Sequence, residues 1–301
     1  DFLVITSAPY VSENIYSNDG DEICLTYDIL YFPGTRIADA YLSKDTSGLN
    51  SDELQVYNIA LQIVQEAEQM PSDIHKELIL HDRICEAVKY YNGSSEMDLP
   101  RHCTALGVFL DGEANCQGYS DAFYMLGTMA GFHVEKQTGF TDKTQHVWNL
   151  IQHGTKWYAV DLTWNDDTFA LNDVNFITYK YFNVGADIMQ YTHSWDADSS
   201  IYQTASQTDG MYFYFTKEAD DKWFGQYTED VNTIVSYAAQ RLMSGDPIVY
   251  MMGKGFTADA NDVSGAIGKI LSTNGFSATF SVNIQTLGNH CYVYVDAAKR
   301  N

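Results

Sequence analysis

The sequence predicts an α+β fold, and three observations lead there. Apolar residues recur at helical spacing through residues 52–92 and again from Cys116 to Ala130. Alternating runs at 134–140, 146–152 and 155–162 have the period of half-buried strands. Residues 201–301 then read as strand, helix, strand, helix and two strands, a smaller C-terminal α+β domain. With 301 residues the chain can hold two or three modules, each burying a core. Its 45 % apolar and 14 % aromatic content excludes a disordered chain.

Taken in order, residues 1–47 read as a β-rich segment. Phe2-Leu-Val-Ile-Thr and Ile23 to Phe32 flank a turn-like Ser17-Asn-Asp-Gly20, and Pro33-Gly34 closes the stretch. Asn50 with Glu53 three residues on forms a capping-box start, and Val56, Ile59, Ala60, Ile63, Val64 and Ala67 follow at helical spacing. Pro71-Ser-Asp opens a second helix whose face carries Ile74, Leu78, His81, Cys85 and Val88. His81 and Cys85 lie one turn apart, but with no second pair at hand a packed helix face is expected rather than a metal site. Arg101 to Gly112 reads as a short helix ending in a glycine turn. Asn115-Cys116 then starts a helix with Tyr119, Phe123, Leu126 and Ala130 on one face, stopped by Gly131.

Val134 to Phe140 reads as a strand, after which a loop at 141–145 delivers His146. His153-Gly154 resembles a two-residue hairpin turn. On that reading Gln152 pairs with Thr155, and His146 falls directly opposite Asp161. Residues 170–200 are rich in tyrosine and asparagine. Beyond them a strand is expected at Met211–Phe215, a helix over Val231–Met243, a strand at 247–252, a helix over Val263–Leu271 and strands at 276–282 and 290–295.

Charge and cysteine content narrow the function classes. Lys and Arg number 17 against 40 acidic residues, and a net charge of −23 repels phosphate backbones and anionic membrane surfaces, so no nucleic-acid partner is expected. No apolar run reaches the length of a membrane span. The chain opens at Asp1 without methionine or apolar leader, as expected of a processed or trimmed terminus. Five cysteines without a CxxC pair are too few for a disulfide scaffold, and whether Cys24, Cys85, Cys103 and Cys291 pair is left open.

Cys116, His146 and Asp161 carry the chemistry. On the first turn of a helix, unpaired backbone N–H groups and the positive end of the dipole favour a thiolate. Catalysis by a thiol also needs a base, a group that fixes the tautomer of that base, and N–H donors for the oxyanion. His146, Asp161 and the Cys116 backbone N–H fit those roles.

Asn-Cys116-Gln-Gly-Tyr-Ser-Asp-Ala-Phe, His146-Val-Trp-Asn-Leu and Trp157-Tyr-Ala-Val-Asp161-Leu-Thr-Trp-Asn-Asp together resemble the three motif blocks of the transglutaminase-like superfamily, the bacterial branch of the papain-like thiol enzymes. The resemblance covers roughly residues 48–198, and Tyr181-Phe-Asn-Val…His193 is similar to the segment that follows such cores. It implies a catalytic core over 48–200, with a Cys-bearing helix packed on an antiparallel sheet bearing His and Asp, and a C-terminal domain over 201–301. It further implies a Cys116 nucleophile, a His146 base, an orienting Asp161 and a thioester resolved by an amine or by water. His102 is a candidate second oxyanion donor, with a helix-capping role as the alternative; Trp148 and Trp164 are candidate walls of the site, or core residues. No cofactor and no metal are expected. The substrate expected is a protein or peptide, with cell-wall peptide among the options, acted on by a secreted or cell-surface enzyme. The alternative is a non-catalytic surface binding or adhesion protein that keeps the fold as a scaffold. A metal held by Cys116, His146 and Asp161 is a more distant third reading.

Overall fold

The structure is a computed structural model and describes residues 10–17, 23–93, 100–167, 176–195, 227–246, 248–255 and 257–297. The strands expected at Phe2–Thr6 and Met211–Phe215 lie outside the described residues. Two units are distinguished. One comprises residues 1–166 and 193–204, the other residues 167–192 and 205–301.

In the first unit, β1 (Tyr10–Ser17) and β2 (Ile23–Leu30) form an antiparallel ribbon. The β character expected of residues 1–47 stops there, because Pro33–Ser43 is a helix, α1, with proline on its first turn. Proline lacks an N–H that this position would not use, and its φ suits a helix start. Helix α2 (Ser51–Ala67) begins with the reciprocal capping box expected at Asn50 and Glu53, and α3 (Asp73–Ala87) is capped by Ser72. A short strand β3 (Lys89–Tyr90) pairs in parallel with β4 (Glu113–Ala114).

Residues 101–112 are not one helix. A single 3-10 turn over Arg101–Cys103 gives way at Thr104 to extended backbone, where the threonine hydroxyl donates to the Arg101 carbonyl. One π-turn over Gly107–Asp111 follows and ends at Gly112, which has φ of 69°. The packing demands this break. A Cβ at Gly107 would stand 2.4 Å from the Arg101 carbonyl oxygen, and one at Gly118 would stand 2.6 Å from that of His102.

Helix α4 (Cys116–Met129) is the centre of this unit and packs against α1, α3, β5 (Val134–Thr141) and β6 (Thr144–His153). Tyr119, Phe123, Met125 and Leu126 are buried along it. One ion pair locks the arrangement. Lys136 on β5 reaches Asp121 on α4 at 2.7 Å, while the other oxygen of Asp121 accepts the backbone N–H groups of Gly34 and Ala105. Three hydrogen bonds, one of them from a cation, thus compensate this buried carboxylate.

The sheet of this unit runs β10-β5-β6-β7, with β7 at Lys156–Val160 and β10 at His193–Ser194. A short helix α5 (Leu162–Asn165) follows β7, and two-residue strands β8 (Asp166–Asp167) and β9 (Phe176–Ile177) come next in the chain. The β6–β7 register differs from the one expected. Gln152 pairs with Trp157 and His153 with Lys156, so the turn is Gly154-Thr155, with φ of 63° at Gly154. Glycine therefore takes the first turn position rather than the second, as positive φ there demands.

The second unit carries a four-stranded sheet of order β11-β12-β14-β13, from Tyr227–Thr228, Ile248–Lys254, His290–Ala297 and Phe280–Leu287. Helices α7 (Val231–Ser244) and α8 (Ala260–Thr273) close a core of Ile234, Ala238, Val249, Met251, Ile267, Val293 and Val295. The segment holding α6 (Ala186–Met189) reaches the same sheet, with Lys180 donating to Gln285 on β13. Among the described residues no helix is long and apolar enough to cross a membrane.

Candidate active site

Each side chain of the expected triad is delivered by a different local device. Asn115 caps α4 by accepting from the N–H groups of Gln117 and Gly118, which puts Cys116 at the first helical position, half-buried. The Asn115 N–H donates to the His102 carbonyl. Among the described residues the Cys116 N–H donates to no backbone carbonyl. It is thus the first-turn donor left over for an incoming oxygen.

Strand β6 delivers His146, which pairs across β5 with Gly139. Asp161 follows the last paired residue of β7 and caps α5 by accepting from the Trp164 N–H at 3.2 Å. The two do not stand directly opposite. Continuing the observed register would bring Asp161 opposite Trp148, two residues from His146 and on the same side of the strand. A diagonal approach is enough, and His146 Nε2 lies 2.8 Å from Asp161 Oδ2.

Cys116 is also among the groups that favour the charged form of the His146 ring. Burial opposes charge on the His146 ring, but the Asp161 carboxylate and then Cys116 outweigh it and push its pKa up to about 10. Burial likewise works against ionised Asp161, and His146 followed by His193 overcomes it, holding the carboxyl below its ordinary range. At neutral pH the pair is an imidazolium on a carboxylate.

A third side chain was not legible beforehand. His193, on β10, places its Nε2 2.9 Å from the same Asp161 Oδ2. It lies 32 residues beyond Asp161 in sequence, and only the sheet order brings it back. The stretch Tyr181-Phe-Asn-Val…His193 stood out in the sequence, but nothing in it gave its histidine a role.

Trp148 and Trp164 both face this group. Their ring centroids lie 6.1 and 6.2 Å from that of His146, and 5.0 and 4.9 Å from that of His193. The His102 ring stacks on that of Tyr91 at 4.0 Å, and burial lowers its pKa. Its backbone carbonyl accepts from the Asn115 N–H at the start of α4. His81 and Cys85 do not act as a pair: His81 bonds Asp82 and Asn165, while the Cys85 thiol faces the Leu162 carbonyl. The hydroxyl of Tyr119 donates to Asp166, which ties α4 to the end of α5.

His146, Asp161 and His193 offer three metal-ligand atoms within 4.8 Å of one another. This N, O, N set is the one such group among the described residues. A cation there would have to displace both imidazole protons from the carboxylate, so as it stands the group is a hydrogen-bonded network.

No protein-family model matches the chain. No curated protein matches it either. Among solved structures it is similar to a transglutaminase at 15 % identity, with 52 % of this chain and 44 % of that one covered and a TM-score of 0.34. A candidate cysteine protease from Cytophaga hutchinsonii matches at 17 % identity over 44 % of this chain and 47 % of that one, with a TM-score of 0.31. A candidate protease from Parabacteroides distasonis matches at 8 % identity over 98 % of this chain and 63 % of that one, with a TM-score of 0.25. The chain thus spans less than half of the first two proteins. What the site can do is therefore read from its own atoms.

Proposed function

We propose that the chain is a transglutaminase-like thiol enzyme with a papain-like core, acting on amide bonds of proteins or peptides. The observation that supports this reading is the buried His146–Asp161 pair at 2.8 Å, together with Cys116 at the first helical position of α4 and its influence on the charge of the His146 ring. The Cys116 sulfur attacks the amide carbon and the C–S bond forms. The oxygen takes the negative charge opposite the Cys116 N–H, with a second donor proposed at His102. His146 hands a ring proton to the departing amine as the C–N bond breaks, which leaves a thioester. Water or a primary amine, deprotonated by His146, then attacks the thioester and frees Cys116. Asp161 keeps the imidazole in its tautomer and stabilises its cationic form throughout. Trp148 and Trp164 wall the reacting groups.

An acidic, lysine-poor composition and the resemblance to exported bacterial enzymes support a secreted or cell-surface location. The test is mass spectrometry of the full chain incubated with a peptide library and a primary amine. Cleaved or amine-tagged peptides are expected from the wild type and none from Cys116→Ala. Cys116→Ala should also abolish labelling by iodoacetamide at neutral pH. Fast labelling at another cysteine, or an inert Cys116 in the native chain, would favour the non-catalytic binding protein.

A further inference from the structure

The Asp161 carboxylate is wholly buried yet ionised, and its oxygens are shared unevenly. Oδ1 accepts the Trp164 N–H, while Oδ2 accepts from two imidazoles at nearly equal distances, 2.8 Å to His146 and 2.9 Å to His193. A carboxylate whose one oxygen served His146 alone could swing about its Cβ–Cγ bond. With His193 on the same oxygen, the direction in which His146 finds its acceptor is fixed from two sides.

The fold invests in bringing His193 there. Strand β10 has only two residues, with His193 paired to Thr141 and Ser194 to Phe140. Its close approach depends on Gly139, where a Cβ would stand 2.2 Å from the Ser194 carbonyl oxygen and 2.7 Å from the Trp148 ring. The His193 ring then lies against Trp148 and Trp164, the two rings that also flank His146. His193 is buried, and the imidazole centroids are 5.5 Å apart. A histidine kept only for packing would not need its Nε2 aimed at the acceptor of another histidine.

We infer that His193 is a positioning residue for the proposed reaction, holding the Asp161 carboxylate in the orientation that aligns His146 with Cys116. It acts through Asp161. The inference rests on the thiol reading for its effect on rate, but not for its effect on the His146–Asp161 bond.

The experiment compares two variants in the full chain. His193→Gln retains an N–H donor with similar reach, whereas His193→Leu removes it. Two signals are read: the deshielded imidazole proton between His146 and Asp161 by NMR, and the rate at which iodoacetamide alkylates Cys116 across pH. Loss of a charge-assisted hydrogen bond should slow alkylation at neutral pH by about tenfold or more in His193→Leu and broaden or abolish the proton signal. His193→Gln should keep the signal and stay within about threefold of the wild-type rate. If His193→Leu does not fold, His193→Asn, whose amide is one bond too short, takes its place with the same expectation. Wild-type signal and rate in the donor-free variant would overturn the inference. So would equal losses in His193→Gln and His193→Leu, which would mark a packing role. A native Cys116 inert to iodoacetamide would instead overturn the thiol reading, and the imidazole proton would still test His193.

Discussion

Replacing Asp161 by asparagine changes one oxygen into an amide, nearly without change of volume, at the point where two imidazoles converge. The rise of His146 from an ordinary 6.5 to about 10 corresponds to roughly 4–5 kcal/mol of preference for the cationic ring, at about 1.4 kcal/mol per unit. Burial works against that preference, so the attraction from Asp161 and Cys116 is larger than the net. Asp161→Asn should therefore cost roughly 3–5 kcal/mol of stability, the range for a buried pair that loses one partner. The cost should depend on pH in a definite direction. His146 is raised, so its share is complete below about pH 6.5 and is lost as pH climbs through about 10. Asp161 is lowered, so its share is complete above its ordinary 3.8 and is lost as pH falls in acid. These are two views of one interaction, and the gap between wild type and variant should be widest between about pH 4 and 6.5. Urea unfolding followed by tryptophan fluorescence reads it, since Trp148, Trp157 and Trp164 all belong to the site-bearing unit. A gap below about 1 kcal/mol, or one that stays constant from pH 6 to above 10, would refute the ion-pair account.

Other substitutions probe the scaffold. Lys136→Met strips Asp121 of its buried cation and should lower stability by about 3 kcal/mol, and a double-mutant cycle with Asp121→Asn should show strong coupling in denaturant titrations. Gly139→Ala forces a Cβ against the Ser194 carbonyl; a loss of about 1–3 kcal/mol and slowed Cys116 alkylation are expected, read by thermal melts and iodoacetamide kinetics. Asn50→Ala removes the capping-box acceptor of α2 and should cost about 1 kcal/mol while leaving alkylation unchanged.

Local signals in the chain were informative wherever one residue type did one local job. Asn50 with Glu53 announced the start of α2, and Asn115 before an apolar periodicity announced α4 with Cys116 on its first turn. Expectations weakened where tertiary contact decides. The β6–β7 turn slipped to Gly154-Thr155 because glycine's positive φ fits the first turn position, yet the slip kept His146 and Asp161 on one side of the ribbon. The break at Thr104 follows from the crowding of Gly107 and Gly118, which periodicity does not record. Helix α1 was hidden by Pro33-Gly34, which reads as a turn but serves here as a helix start. His193 depended on a pairing between residues about fifty positions apart, and no short-range pattern carries that information.

The course of the backbone between the two units has a practical corollary. After Asp166 the polypeptide leaves the first unit, contributes residues 176–192 to the second and returns to the first with residues 193–195. A single nick between Asp166 and His193 therefore splits the site-bearing unit. Cleavage after residue 166 would yield a piece with Cys116, His146 and Asp161 but without His193. Limited digestion should accordingly give products whose Cys116 reactivity tracks retention of residue 193 rather than fragment length.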